Sequence, residues 1–163
     1  MEEKKQIHDE KIKDVKILIG MEDSEQKKEI VDILSETFTV HAVSDSEEAY
    51  QEIHKFDPDL VILDYSLSKI NPIDLHDGIA FIHSYISMVI CATEENLEVA
   101  RRVWSRRAID FIIKPFETGS FIQDVNKIMR NLINKREVDA LSKQVKQLEE
   151  AIKKIRTEMD KKK

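Results

Sequence analysis

The sequence has little glycine, proline or cysteine, and each shortage excludes a class of protein. Three Gly and three Pro in 163 residues are too few for the dense turns of an all-β sandwich or for a low-complexity linker. With a single cysteine, Cys91, no intrachain disulfide can form. No apolar run approaches the roughly 18 residues of a membrane span, and the first residues lack the apolar stretch of a secretory signal. We therefore expect a cytoplasmic protein that makes no use of a membrane.

Charge is distributed unevenly along the chain. The formal net charge is −6, which argues against a broad nucleic-acid-binding face. Residues 135–163 hold ten Lys and Arg against six Asp and Glu, a balance of +4, which leaves −10 for residues 1–134. An acidic excess is usually solvated surface, but it also suits a site that binds a divalent cation. The basic end lacks aromatic residues and a recognition motif, so we expect no nucleic-acid partner.

Five short apolar runs alternate with stretches whose apolar residues have helical spacing. Runs of this length, bounded by polar residues, favour strands rather than core helices. Strands that alternate with helices indicate parallel crossover connections. The pattern predicts an α/β fold, a flavodoxin-like doubly wound sheet of five parallel strands with an extended C-terminal helix. The predicted strands lie at residues 15–21, 38–43, 60–63, 88–92 and 111–113. The predicted helices lie at 24–36, from a cap at Ser44-Asp45-Ser46 to the break at Asp57-Pro58, at 78–86, at 97–104 and from 118 onward.

Polar side chains follow several of the predicted strands. In a doubly wound sheet, functional groups lie beyond the carboxyl ends of the strands. Carboxylates gathered at one sheet edge repel each other unless a cation neutralises them, and Mg²⁺ prefers such oxygen ligands. A lysine and a hydroxyl beside them complete a set suited to phosphoryl transfer to a carboxylate. The groups in question are Glu22-Asp23, Asp64, the stretch Cys91-Ala92-Thr93, and Lys114.

Three segments resemble the receiver domains of bacterial two-component response regulators. They are the acidic pair Glu22-Asp23, the stretch DPDLVILDYSLS at 57–68, and FIIKPF at 111–116. The resemblance covers about residues 14–134. It implies a regulator rather than an enzyme, with at most self-catalysed phosphorylation and dephosphorylation, whose partner is a sensor histidine kinase.

The resemblance also implies a role for individual residues. Asp64 is the expected phosphoacceptor, which receives the phosphoryl group from a phosphohistidine of the kinase. The expected cofactor is Mg²⁺, bound by Glu22, Asp23, Asp64 and the backbone carbonyl of Ser66.

Four further residues have expected roles around the phosphoryl group. Lys114 and Thr93 are expected to contact its oxygens. Phe111 lies where receiver domains place their switch aromatic, and Pro115 takes the place of the proline that usually follows the lysine.

Several alternatives stay open at the level of sequence. A second register matches Met21 and Glu22, rather than Glu22 and Asp23, to the two acids. The switch hydroxyl position falls on Cys91, Ala92 or Thr93 according to the gap chosen, and only Thr93 has a hydroxyl. The connection at 65–77 is about six residues longer than in most receiver domains, and suits either a partner-selecting loop or a surface insertion. A degenerate receiver that acts as a phosphorylation-independent dimeric scaffold is the alternative function.

The C-terminal part shows the heptad repeat of a coiled coil. Its apolar residues recur at alternating spacings of three and four, and they form a mainly β-branched first set and a mainly Leu second set. This composition favours a parallel two-stranded coil. We predict a disordered leader at 1–13, a receiver domain at 14–134 and a coiled-coil helix at 135–163. Homodimerisation is expected through the first set, Val138, Val145, Ile152 and Met159, and the second set, Leu141, Leu148 and Ile155.

Overall fold

A computed structural model describes residues 15–22, 24–67, 86–98 and 108–160 of the chain. Several predictions lie wholly or mostly outside these residues. They are the leader at 1–13, Asp23 as a metal ligand, the greater part of the connection at 65–77, the helix at 78–86 and most of the helix at 97–104.

A parallel sheet of five strands organises the first part of the chain, as the sequence predicts. The order across the sheet is β2-β1-β3-β4-β5, and every neighbouring pair is parallel. The chain therefore reverses its direction of winding between β1 and β3, which places a crevice at the carboxyl ends of these two strands. The strands are β1 (Lys16–Gly20), β2 (Thr39–Val43), β3 (Leu60–Asp64), β4 (Ser87–Thr93) and β5 (Ala108–Lys114).

Two helices begin at polar caps that the sequence places before their apolar residues. Helix α1 (Glu25–Ser35) starts after Ser24, whose hydroxyl accepts a hydrogen bond from the Lys27 backbone N–H. Helix α2 (Ser46–Phe56) starts after Asp45, whose carboxylate accepts one from the Glu48 backbone N–H. The residue that caps the end of α2 is Asp57, which precedes Pro58 and has a φ of 53° in the left-handed region.

Residues 94–98 are helical, so this helix begins three residues earlier than the sequence pattern predicts. Glu94 and Glu95 explain the difference, because acidic side chains stabilise the first turn of a helix even where apolar spacing is not yet visible.

The central strands supply the core. All five residues of β3 are buried, as a continuous apolar run covered on both faces requires. In β4, Met88 to Ala92 are buried as well. One core cluster joins these strands to α2 through Ala49 and Ile53. The core thus fixes the carboxyl ends of β1, β3 and β4 at one edge of the sheet.

The C-terminal helix runs without a break over Thr118–Asp160. At about 1.5 Å per residue, its 43 residues span roughly 65 Å. The chain divides into two compact units, Met1–Asp124 and Val125–Lys163, and the described part of the second unit is this helix from Val125 onward. In the part of the chain that the structure describes, no helix is long and apolar enough to cross a membrane.

Candidate functional site

Asp64 is a buried carboxylate at the carboxyl end of β3. Only 8% of its side chain is exposed. One carboxylate oxygen, Oδ1, accepts hydrogen bonds from the Ser66 backbone N–H at 2.9 Å and from the Ser66 hydroxyl at 2.7 Å. The other, Oδ2, forms an ion pair with Lys114 Nζ. Because a buried charge is costly without partners, these contacts explain how Asp64 is accommodated as the last residue of an apolar strand.

Lys114 reaches Asp64 from the last residue of β5, fifty positions away in sequence. About a third of its side chain is exposed, so the ammonium group lies between the buried carboxylate and solvent. The peptide bond between Lys114 and Pro115 is cis. The structure thus brings together the carboxylate and the lysine that the sequence selected separately.

Glu22 is the described member of the predicted acidic pair. It follows the end of β1 by two residues and is exposed, whereas Met21 is buried and its backbone N–H donates to the Val43 carbonyl at 3.2 Å. A buried Met21 thioether is not a suitable Mg²⁺ ligand, so the alternative register would leave Glu22 as the only acid of that pair. Among the described residues, no three His, Cys, Asp or Glu side chains are grouped closely enough to hold a metal ion.

Gly20 allows the end of β1 to lie close to the loop that follows Asp64. A Cβ at position 20 would lie 2.7 Å from Leu63 Cδ2 and 3.0 Å from Leu67 Cδ2. The loop after β3 therefore packs into space that any larger residue at position 20 would occupy.

Thr93 and the two alternatives for the switch hydroxyl differ in exposure. Cys91 and Ala92 are buried, at 0% and 1% exposure, and Thr93 is exposed at the end of β4. Thr93 also lies in register with Lys114. Of the three candidates, only Thr93 combines a hydroxyl with a position at the open end of the sheet.

Cys91 lies next to Asp64 in the strand pairing, but its thiol is buried and unreactive. Burial raises the pKa of Cys91 above its usual range, and the nearby charge of Asp64 raises it further, against a smaller lowering by Lys114. The thiol therefore stays protonated at neutral pH and packs as a small buried apolar side chain.

Phe111 is half-buried and packs against the core cluster that contains Leu18 and Ile90. Tyr65, directly after Asp64, packs against the same cluster, and its backbone N–H donates to the Cys91 carbonyl at 2.8 Å. The switch aromatic expected from the sequence thus has a second aromatic residue packed against the same cluster.

Two polar contacts near this edge were missed by the sequence analysis. The Ser66 side chain binds Asp64, and the signal for it is the Asp-x-Ser spacing, which favours a local turn closed by side-chain hydrogen bonds. Lys27 is buried, and its Nζ donates to the Val43 carbonyl at 2.8 Å and to the Ser44 hydroxyl at 3.0 Å. Its signal is helical phase, because Lys27 lies on the same face of α1 as Ile30 and Leu34.

Comparison with known proteins gives a consistent family. The family model of the response regulator receiver domain matches residues 17–126. A protein-glutamate methylesterase/protein-glutamine glutaminase of Methanococcus maripaludis is 29% identical over 123 residues, which are 73% of this chain and 33% of that protein. The nitrogen assimilation regulatory protein NtrX of Azorhizobium caulinodans is 30% identical over 108 residues, 65% of this chain and 24% of that protein. The chain thus matches a third or less of these two relatives.

Solved structures show the same fold. NtrX from Brucella abortus superposes with a TM-score of 0.68 at 29% identity, over 77% of this chain and 30% of that one. The signal receiver domain of a putative Luxo repressor protein from Vibrio parahaemolyticus has a TM-score of 0.65 at 22% identity, over 77% of this chain and 97% of that one. The second comparison shows that the matched part of this chain has the fold of nearly the whole of that domain.

Proposed function

Because the chain belongs to the family of response regulator receiver domains, which act in two-component signalling, we propose that it accepts a phosphoryl group on Asp64 from a sensor histidine kinase. A cytoplasmic location, where such a kinase would present its phosphohistidine, is part of this proposal. The kinase is proposed by its chemistry alone, as the donor of a phosphoryl group bound to an imidazole nitrogen.

The ion pair between Asp64 and Lys114 is the observation that carries the proposal. In the transfer, an Asp64 carboxylate oxygen forms a bond to phosphorus while the bond between phosphorus and the donor imidazole breaks, and the imidazole takes up a proton from water. Negative charge then accumulates on the phosphoryl oxygens at a site with little exposure. Lys114 already lies at the Asp64 carboxylate, so its ammonium group supplies positive charge at this site.

We propose that Mg²⁺ binds at this edge, because carboxylate and carbonyl oxygens are the ligands that it prefers. The proposed ligands are the carboxylates of Glu22, Asp23 and Asp64 and the backbone carbonyl of Ser66. When bound, Mg²⁺ would neutralise the carboxylates and the incoming phosphoryl group.

We assign the response to phosphorylation to Thr93 and Phe111. Thr93 is exposed at the end of β4 beside Lys114, so its hydroxyl can donate a hydrogen bond to a phosphoryl oxygen on Asp64. A shift of Thr93 would alter the packing of Phe111, whose neighbour across the strand pair is Ile90 in β4. Pro115 then ends β5 directly after the lysine.

Phosphorylation is tested with an acyl-phosphate donor and Mg²⁺. Intact-mass measurement should show the addition of one phosphoryl group to the wild-type chain and none to Asp64→Asn. Asp32→Asn, which removes an exposed carboxylate on α1, is the matched control and should be modified like the wild type. Equal modification of Asp64→Asn, or none of the wild-type chain, would disprove the proposal.

We propose in addition that the chain forms a homodimer through its C-terminal helix. The seven residues of the predicted heptads are exposed in the single chain by 51% to 63%, although all are apolar. Together they form a continuous stripe, which we call the seam. An exposed apolar stripe of this length is characteristic of a surface that another helix covers.

The seam also supports the alternative, a dimeric scaffold that works without phosphorylation. All seven residues lie beyond residue 126, where the family match ends, so dimerisation need not depend on Asp64. Light scattering, which measures how much of the chain is dimeric, separates the two functions. A scaffold should dimerise to the same extent as the wild type, as Asp64→Ala and as the phosphorylated chain. A phosphorylation-dependent regulator should show a difference between these forms.

Substitution of the seam tests the dimer itself. Leu141→Glu with Leu148→Glu should give a monomer, because two charges would be buried in adjacent layers of the coil. Lys143→Glu with Lys154→Glu, which alters exposed positions outside the seam, is the control and should remain a dimer. A wild-type monomer at high concentration would disprove the proposed dimer.

A further inference from the structure

The seam and its flanking charges specify the direction in which two copies pair. We infer that the second copy lies parallel and in register, with each seam residue facing the same residue of its partner. This inference rests on the proposed homodimer and adds the orientation of the two helices. Its basis is the pattern of exposed side chains on the C-terminal helix over residues 135–159.

The layers of the seam favour like-with-like pairing. In heptad notation, Val138, Val145, Ile152 and Met159 occupy the a positions, and Leu141, Leu148 and Ile155 occupy the d positions. A parallel pair forms a–a and d–d layers, in which β-branched residues at a and Leu at d select two strands. An antiparallel pair would instead place the β-branched set against the mainly Leu set in every layer.

The residues on either side of the seam also differ between the parallel and the antiparallel orientation in the charges that they bring together. The g column, one residue before each a position, contains acidic charge only, and its members are Glu137, Gln144, Ala151 and Glu158. The e column, one residue after each d position, holds two cations and one anion among Lys135, Ser142, Glu149 and Arg156. All eight side chains are exposed on the single helix, so each is available to a partner.

The two orientations bring different columns together. In a parallel, in-register pair each g residue lies beside the e residue of the partner's next heptad, which gives the pairs Glu137–Ser142, Gln144–Glu149 and Ala151–Arg156, none of which joins two like charges. An antiparallel pair places g beside g and e beside e, which puts the acidic column against itself and the net basic column against itself. The flanking charges therefore leave the parallel pair without repulsion and oppose the antiparallel one.

The native cysteine makes a direct test possible. Cys91 is fully buried and lies outside the C-terminal helix, so a cysteine placed in the seam is the only accessible thiol. In a parallel, in-register dimer, Leu148→Cys places two thiols in one layer, at a separation that a disulfide can span. In an antiparallel dimer, where a positions face d positions, position 148 faces position 145 or position 152 according to the register.

We therefore expect the full-length Leu148→Cys chain to oxidise almost completely to a covalent dimer, as Leu141→Cys should. Lys143→Cys, on the outer face of the helix, should cross-link many times more slowly. Equimolar mixtures of Leu148→Cys with Val145→Cys, and of Leu148→Cys with Ile152→Cys, should each give homodimers without a mixed product.

The outcomes separate the orientation from the dimer. A wild-type chain that is monomeric by light scattering overturns both. A dimer in which Leu148→Cys and Leu141→Cys do not cross-link, while either mixture gives the mixed product, overturns the parallel orientation and leaves the homodimer standing. Cross-linking of the single variants without the mixed product supports the inference.

Discussion

Thr93 and Lys114 lie opposite each other in the parallel pairing of β4 and β5, and each is the last residue of its strand. This pair adds a hydroxyl and an ammonium group to the edge of the sheet at which β3 ends in Asp64. The pairing of β3 with β4 places Asp64 level with Cys91, two residues before Thr93, so Thr93 extends beyond the buried part of β4.

The position of Thr93 predicts a role in signalling rather than in acceptance of the phosphoryl group. Thr93→Val should be phosphorylated to the same extent as the wild type, but it should lose most of the phosphorylation-dependent shift of the Phe111 ring resonances. Thr93→Ser, which keeps the hydroxyl, should retain that shift. An NMR titration with an acyl-phosphate donor measures both, and an unchanged shift in Thr93→Val would contradict the assignment.

The ion pair between Asp64 and Lys114 predicts an asymmetric effect on stability. Lys114→Ala leaves a buried carboxylate without its cation and should lower the free energy of unfolding by about 1–3 kcal/mol. Asp64→Ala should cost less, because Lys114 is a third exposed and can turn to water. Urea unfolding of both variants and the double variant should give a coupling energy of about 1 kcal/mol.

The exposed pair of Glu25 and Lys28 is the control for that cycle. Both side chains are mostly in solvent, at 92% and 71% exposure, so Lys28→Ala should change stability very little. A coupling energy for Asp64 and Lys114 no larger than that of the exposed pair would show that the buried contact does not form.

Gly20 predicts a site at which even one added carbon is harmful. Gly20→Ala should destabilise the chain by about 1–3 kcal/mol, because its Cβ would lie 2.7 Å from Leu63 Cδ2. Gly119 provides the comparison, since a Cβ there meets nothing within 4 Å. Gly119→Ala lies in the first turn of a helix and should be neutral or stabilising by up to about 1 kcal/mol. Thermal unfolding measures the stability of both variants. Equal changes in stability for Gly20→Ala and Gly119→Ala would contradict the close packing around Gly20.

Cys91 predicts a loss of stability in alkali. Because burial raises the pKa of Cys91 in the folded chain, the folded state keeps its thiol proton where the unfolded state has lost it. This group therefore leaves stability unchanged below about pH 8.5 and lowers it as the pH rises further, by up to about 1.4 kcal/mol per pH unit. Urea unfolding at about pH 7 and about pH 9.5 measures this loss.

Cys91→Ala is the control for the alkaline effect, since it removes the thiol. The gap in stability between wild type and Cys91→Ala should narrow at the higher pH. The folded wild-type chain should also resist alkylation at neutral pH and react readily in denaturant. Rapid alkylation of the folded chain would place the thiol at the surface and refute this prediction.

The sequence by itself determined the order of the elements and most of their ends. Runs of three to seven residues marked the strands, and the buried central strand β3 is wholly apolar before Asp64 because a parallel strand covered on both faces needs no polar side chains. The cap of α2 was visible because a side-chain oxygen must satisfy the free backbone N–H groups at a helix start. The heptad repeat of the C-terminal helix is likewise a local pattern, which needs no tertiary structure to be seen.

The tertiary structure alone decided which of these residues meet. Asp64 and Lys114 are fifty positions apart, and only the order of the strands brings them into contact. The buried position of Met21, the exposure of Thr93 against Cys91 and Ala92, and the clash that Gly20 avoids all depend on register between strands. The spacing of residues in the sequence does not predict the register between strands, because the packing of the whole sheet, and not either strand alone, sets how two strands pair.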